Sequence, residues 1–308
     1  MISEPIDIRS AFRAVTLIRS PRLSKRVGVG VLLASETFQY TGSFKFRAAY
    51  SVARLVPNEH IITASSGNFG QALAFACRLV EKRCHVVMPA TSAIIKVDAV
   101  REFGGEVVFV DIAKNSRAER LAQLSEEFPD AYVASPFDDE LVIGGNSTLA
   151  HELVEGGESF DTVIVPVGGG GLASGLVKGF RSKGVSVQIY GAEPAMANDA
   201  ARSFRAGELI ANKIEPQTIA DGARTLSLGK RNWEILRTGL QDILEVSEDG
   251  IKAGVRMLFE LANLKVEPTG ALALAALMED PARFNAQSSV CCIVSGGNVD
   301  PELYRQLI

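Results

Sequence analysis

Four consecutive glycines in PVGGGGLASG, residues 166–175, stand between an apolar run and a helical pattern. Glycine admits backbone angles closed to other residues and lets the main chain approach a ligand closely. The amides of such a loop, with the helix N-terminus behind them, form an anion site. A tight strand-to-helix turn also uses glycine, but four in a row cost more chain entropy than a turn requires. The spacing therefore points to a phosphate held by Gly168, Gly169, Gly170 and Gly171. A competing reading exists. Gly168-x-Gly170-x-x-Ala173 fits the dinucleotide fingerprint, with Glu193 about twenty residues further on. Alone, the segment could be a nicotinamide-binding unit.

Lys45 follows a small-residue turn in TGSFKFRAA (41–49), between Phe44 and Phe46. In a cleft its amine would lose water, its pKa would fall and Schiff-base chemistry would be favoured. From this segment alone, an ordinary surface lysine is the plainer reading. ITASSGNFGQALA (62–74) places Ser65, Ser66, Gly67 and Asn68 at a second helix start. There they suit a carboxylate or a ring oxygen, or act as simple caps. SGGNVD (295–300) again sets a hydroxyl, Ser295, and glycines just past an apolar run. Glu193 and Asp199 could share a hard cation with backbone carbonyls, although spacing alone favours a solvated pair. His60, His85 and His151 lie in no hydrolase or zinc-protease context and read as structural.

The elements that would position these groups alternate. HIITAS (60–65), CHVVMPA (84–90), EVVFVD (106–111) and AYVAS (131–135) read as buried strands. Between them, residues 70–82, 92–104 and 117–128 carry apolar residues at helical spacing. A second series has strands at 161–167, 186–193 and 290–297 and helices at 172–183, 250–262 and 271–280. Alternation of this kind implies parallel sheets with crossover helices. The series break near PFDDELVIGGNS (136–147), with neither a fixed-period repeat nor a low-complexity linker. Two α/β domains packed around a shared cleft are expected, with ligands at the carboxyl ends of the strands.

Bulk properties exclude several classes. The chain has 308 residues, 47% hydrophobic and 22% charged, which is ordinary for a globular protein. A net charge of -4 gives no pull toward nucleic acid or anionic membranes. The start, MISEPIDIRS, has no apolar core and does not read as a secretory signal. ALALAALM (271–278) is too short to span a bilayer, so a soluble chain is expected. Cys77, Cys84, Cys291 and Cys292 form no C-x-x-C or zinc pattern, which fits a reducing compartment, the cytoplasm.

In order, SFK (43–45), SSGN (65–68), PVGGGG (166–171) and SGGN (295–298) resemble the fold-type II, or β-family, pyridoxal-phosphate enzymes. The branch they resemble is that of the serine/threonine dehydratases and serine racemases. TIADGAR (218–224), VSEDGIKAG (247–254) and KVEPTGALALAAL (265–277) extend the likeness over nearly the whole chain. The resemblance implies the tryptophan synthase β-like fold, two open, mainly parallel α/β domains with pyridoxal 5'-phosphate in the cleft. Residues 1–52 and 138–308 would form the large cofactor-binding domain and 53–137 the small one. Lys45 would hold the cofactor covalently and move the Cα proton, Phe44 would pack near the ring, and Asn68 would hold its 3-hydroxyl. Gly168 to Gly171 would wrap the phosphate and Ser295 would face the pyridine nitrogen. Ser65, with Ser66, Gly67 and Asn68, would bind the substrate carboxylate. Ser66 is the racemase-like residue that can donate a proton on the opposite face. Glu193, the Ala197 carbonyl and Asp199 would bind Mg²⁺ or another divalent cation.

The implied activity is elimination of water from L-threonine or L-serine, giving a 2-keto acid and ammonia. Serine racemisation and 3-hydroxyaspartate dehydration are the alternatives. More distant ones are a nicotinamide-dependent oxidoreductase and a weakly active amino-acid-binding protein. Relatives suggest a homodimer. The sequence departs from the family pattern at Gly145-Asn146-Ser147-Thr148, at Phe69 and at Phe137, all close to the expected substrate pocket. The chain ends at Ile308, so no regulatory domain and no feedback inhibition by isoleucine are expected.

Overall fold

The computed structural model describes residues 8–285 and 287–308, so most of the N-terminal segment read above lies outside the described residues. Among the described residues, ten strands build two sheets: β1 (Thr16–Arg19), β2 (Gly30–Ser35), β3 (His60–Ala64), β4 (Arg83–Pro89), β5 (Glu106–Val110), β6 (Tyr132–Val133), β7 (Thr162–Pro166), β8 (Gln188–Pro194), β9 (Asp242–Val246) and β10 (Ser289–Val294). The larger sheet runs β1-β2-β10-β7-β8-β9 and the smaller β5-β4-β3-β6. Every pairing is parallel except β1 with β2.

Strands buried on both faces explain the continuous apolar runs. In β10, Cys291 and Cys292 point into different cores, one beside Val163 and Val165 and the other beside Ile164 and Val294. This is the alternation of a pleated strand, and both thiols are fully buried. AYVAS contracts to two paired residues in β6.

The segment 136–147, where the two series were expected to break, runs into a helix, Glu140–Glu155, that lies between β6 of the small sheet and β7 of the large one. Asp139 begins it by accepting from the amides of Leu141 (2.7 Å) and Val142 (3.4 Å). Gly144, Gly145, Asn146 and Ser147 give the segment a loop-like composition, yet Gly145 serves packing. A Cβ there would lie 2.5 Å from the Arg47 carbonyl oxygen on the Lys45–Leu55 helix. That helix shares the core of the small sheet: Phe46, Ala48, Ala49 and Val52 bury themselves with Ile61, Leu73 and Val86. No helix among the described residues is long and apolar enough to cross a membrane.

Strand order places the site. In the large sheet the chain moves outward from β7 through β8 to β9, then returns so that β10 lies between β7 and β2. In the small sheet it moves from β3 through β4 to β5 and returns with β6 on the other side of β3. Crossovers diverge at each reversal and open a crevice at the carboxyl ends of the strands. Both crevices receive the polar turns: the glycine loop after β7 and Ser295 after β10, Ser65–Asn68 after β3 and Ser135–Phe137 after β6.

Candidate active site

Lys45 opens its helix and is half-buried, its Nζ donating to the Pro136 carbonyl at 2.7 Å. The Phe44 and Phe69 ring centroids lie 5.0 and 5.7 Å from that nitrogen. Burial lowers its pKa to about 8, against the opposing pull of the Glu267 carboxylate. A neutral amine is therefore accessible near neutrality. The turn before Lys45 is stitched to the turn after β10. Phe44 N donates to the Ser295 carbonyl (3.0 Å), Gly297 N to that of Gly42 (3.0 Å), and Ser43 bridges Gly296. Gly42 is held at φ +73, and a Cβ there would meet Asn298 Oδ1 at 2.3 Å. Only glycine fits such an approach.

Asn68 begins the Asn68–Leu79 helix. Its Nδ2 donates to both Glu267 oxygens, at 2.9 and 3.0 Å, while its Oδ1 accepts from Gln71 (3.1 Å) and Asn298 (2.9 Å). Burial lifts Glu267 to about 7, Asp221 adds to the rise, and Asn68, Lys96 and Lys45 oppose it. Ser65 Oγ accepts a long bond from Gly67 N (3.4 Å), and Ser66 has no hydrogen-bond partner among the described residues.

The glycine loop is clamped on one side. A Cβ on Gly168 would lie 2.9 Å from Gly222 O, on Gly169 2.3 Å from the Phe137 ring, and on Gly171 2.9 Å from Phe137 O. Gly170, at φ +91, would meet Asn232, Leu228 and Leu236. On the other side, the amides of Gly168 through Ala173 find no acceptor among the described residues. An ordinary helix start leaves about four donors unpaired, and here six consecutive ones are open, with the dipole of the Gly171–Ser182 helix behind them. The donor set fits a phosphate. Alanine at Gly170 should strain the loop by about 1–3 kcal/mol and weaken cofactor binding about 10-fold or more. Absorbance titration of pyridoxal 5'-phosphate into the apo protein, beside a melting curve showing an intact fold, checks this.

Glu193 ends β8 and is 1% exposed, its oxygens accepting from the amides of Ala201 (2.6 Å) and Ala200 (3.3 Å). So engaged, it is closed to a ribose hydroxyl, which removes the structural basis of the dinucleotide reading. Asp199 lies close enough to raise the Glu193 pKa further, beyond the larger effect of burial. Asp199 Oδ1 accepts from Asn212 (2.8 Å), whereas its buried Oδ2 has no hydrogen-bond partner among the described residues. Burial lifts Asp199 to about 6. Ala197 is buried beside it, one residue before Asn198. No group of three or more His, Cys, Asp or Glu side chains poised for a metal occurs among the described residues.

Four contributors escaped the sequence reading. Glu267 anchors Asn68, and Asn298 ties Thr41 (2.7 Å) to Asn68. Asn232 donates to Gly169 O (2.7 Å) and Phe137 O (3.0 Å), and Pro136 receives Lys45. Asn298 had a signal, as the last residue of the SGGN run.

A family model described as pyridoxal-phosphate dependent enzyme matches residues 8–296. Human serine racemase is 34% identical over 306 residues, covering 96% of this chain and 89% of the relative. An L-threo-3-hydroxyaspartate ammonia-lyase from Pseudomonas sp is 37% identical over 293 residues, covering 94% and 91%. The solved threonine deaminase of T.th. superposes with a TM-score of 0.89 at 39% identity, with 94% of each chain covered.

Proposed function

We propose that this chain, which belongs to the family of pyridoxal-phosphate dependent enzymes, removes water from a small β-hydroxy amino acid, L-threonine or L-serine, leaving a 2-keto acid and ammonia. The observation that carries the reading is a half-buried lysine bonded to the Pro136 carbonyl, next to Phe137, which packs on the glycine loop whose six amides are open. Lys45 would hold the cofactor, with Gly168–Gly171 on its phosphate, Asn68 on its 3-hydroxyl, Phe44 near its ring and Ser295 at its ring nitrogen. When bound, the cofactor supplies a sink for the electron pair left at Cα. Ser65, Gly67 and Asn68 would orient the substrate carboxylate on the turn after β3. Lys45 takes the Cα proton on its own face, the Cβ–O bond breaks, and a proton equivalent to the one taken from Cα goes to the leaving hydroxyl, which departs as water. Hydrolysis of the enamine product consumes one water and releases ammonia. The serine at the ring nitrogen would not hold that nitrogen protonated, which suits elimination.

Ser66, without a hydrogen-bond partner in its turn, supports a second activity, proton return on the opposite face and hence serine racemisation. Glu193, the Ala197 carbonyl and Asp199 are proposed to hold Mg²⁺ or Ca²⁺ with waters completing the shell. The unpartnered Asp199 Oδ2 supports this. The proposed lobes are 1–52 with 138–308 and 53–137, the Lys45–Leu55 helix serving both. A homodimer and a cytoplasmic location complete the reading.

Keto-acid release from both enantiomers of serine, threonine and 3-hydroxyaspartate, with and without Mg²⁺, tests it. Product is expected from an L-β-hydroxy substrate, and absence of product from all of them refutes the reading. Ser66→Ala should abolish D-serine formation and leave keto-acid release measurable.

A further inference from the structure

We propose that Asn232 is a positioning residue that holds the Gly168–Gly171 loop in register with Lys45, so that one cofactor can meet both. The proposal rests on the cofactor assignments above and adds a residue that none of them includes.

Asn232 lies on the Lys230–Leu236 helix, away from the polar turns of the cleft, and is fully buried. Its Nδ2 carries two hydrogens, and each meets a backbone carbonyl. One acceptor is Gly169 O at 2.7 Å, in the glycine loop. The other is Phe137 O at 3.0 Å, in the residue after Pro136, whose carbonyl receives Lys45. Because both partners are acceptors, the end of the amide that faces them must be the nitrogen. A single side chain therefore spans from the proposed phosphate loop to the segment against which the amine rests. Asp138 reinforces the span on one side, accepting from the amides of Lys230 and Arg231 at 3.0 Å each. Gly229 N reinforces it on the other, donating to Gly169 O at 3.1 Å.

The same bonds orient the loop. In a planar trans peptide the carbonyl and the following N–H point in opposite directions. With Gly169 O turned to Asn232, the Gly170 N–H points away from it, and it is one of the amides without an acceptor among the described residues. The other end of the Asn232 side chain shows that packing is not its purpose. Oδ1 is buried with no hydrogen-bond partner among the described residues, and Leu228 and Leu236 lie beside the same glycine. An unpaired buried carbonyl costs stability that an apolar residue of similar size would avoid. The two N–H groups are what an apolar residue could not supply.

The test is the rate at which the cofactor-free full chain captures pyridoxal 5'-phosphate, against pyridoxal with inorganic phosphate added. Wild type, Asn232→Leu and Asn232→Asp are compared, the last keeping the shape while replacing donors by acceptors. In capture, the Lys45 amine condenses with the aldehyde and the carbonyl oxygen leaves as water. Absorbance follows the rate, and borohydride reduction with mass spectrometry locates the link on Lys45. Wild type should capture the phosphate ester faster by about 100-fold or more, because the loop delivers the aldehyde to the amine. In both variants that ratio should fall by about 10-fold or more. Inorganic phosphate should still bind within about 3-fold of wild type, since Gly229 continues to hold Gly169 O. A merely structural role would lower the melting temperature and leave the ratio unchanged.

An unchanged ratio in folded variants overturns the proposal, and so does a fall no greater than the fall in phosphate affinity. A wild type without an advantage for the phosphate ester has no register to hold and overturns it too. If neither variant folds, Asn232 belongs to the fold and the proposal fails. No capture at Lys45 in wild type overturns the cofactor assignments themselves, and the proposal with them.

Discussion

Replacing Lys45 by alanine should lower keto-acid formation by about 10⁴-fold or more, because one amine is proposed both to hold the cofactor and to move the Cα proton. The loss should fall on kcat rather than KM, since Ser65, Gly67 and Asn68, and not Lys45, are the residues proposed to hold the substrate carboxylate. The glycine cradle would remain, so the variant should still bind the cofactor without the covalent link. Borohydride trapping followed by mass spectrometry separates the two states. A pH dependence follows from the same residue. Burial depresses the amine from its ordinary 10.5 to about 8, with Glu267 pulling the other way. Covalent capture needs the neutral amine. It should rise with pH and level off above about pH 8, well below the ordinary lysine range. Near pH 7.5 the neutral fraction is about 200-fold larger than for an unperturbed lysine. A capture rate still climbing steeply at about pH 10 would contradict the desolvated geometry.

Legibility in the sequence followed how locally each feature is encoded. The glycine loop was readable because its residue type, its position after an apolar run and its helix all fall within ten residues. Strands buried on both faces were readable for the same reason, as short β-branched runs. β2 and β9 were not, since GVLLAS and DILEV lack that enrichment and sit among residues of mixed type. The helix at 140–155 was obscured by Gly144–Ser147, whose small residues answer to close packing against the Lys45–Leu55 helix rather than to a turn.

Site residues divided along the same line. Lys45, Asn68 and Ser295 were readable as motif members. Glu267 was not, because its meaning depends on meeting Asn68 across 199 residues of chain. Pro136 contributes a carbonyl, which any residue possesses. Topology supplies what spacing could not: each sheet reverses its strand order once beside the cleft, and the turns at those reversals carry nearly every residue discussed. The place of β6 beside β3 is what brings the Pro136 carbonyl, next to the already noted Phe137, to Lys45.

The largest expected effect on stability lies two residues beyond Lys45. Arg47 has no exposed surface, and Glu36, its principal partner, is 1% exposed. The guanidinium grips Glu36 through Nε (2.7 Å) and Nη2 (2.8 Å), and Glu152 through Nη1 (2.6 Å) and Nη2 (2.9 Å). Thr148 accepts from Nη1 at 3.2 Å. One cation thus joins the Lys45–Leu55 helix to the residue after β2 and to the Glu140–Glu155 helix. Burial alone would disfavour the charge on Arg47, but the two carboxylates more than restore it. Arg47→Met should therefore strand two facing carboxylates, costing about 3–5 kcal/mol. At about 2–4 °C per kcal/mol for a chain of this size, the melting temperature should fall by about 10 °C. The sign of the pH dependence follows from Glu36, which burial already pushes up despite Arg47. Without the arginine its folded pKa would rise further above the unfolded one. Such a raised carboxylate favours the fold while protonated, and that contribution is lost as pH rises through the folded pKa. The variant should consequently be closer to wild type near pH 5 than near pH 8, and Glu36→Gln added to Arg47→Met should recover part of the loss. Equal destabilisation at both pH values, with no recovery in the double variant, would mean that Arg47 acts through packing on Phe12 (5.4 Å) rather than through charge.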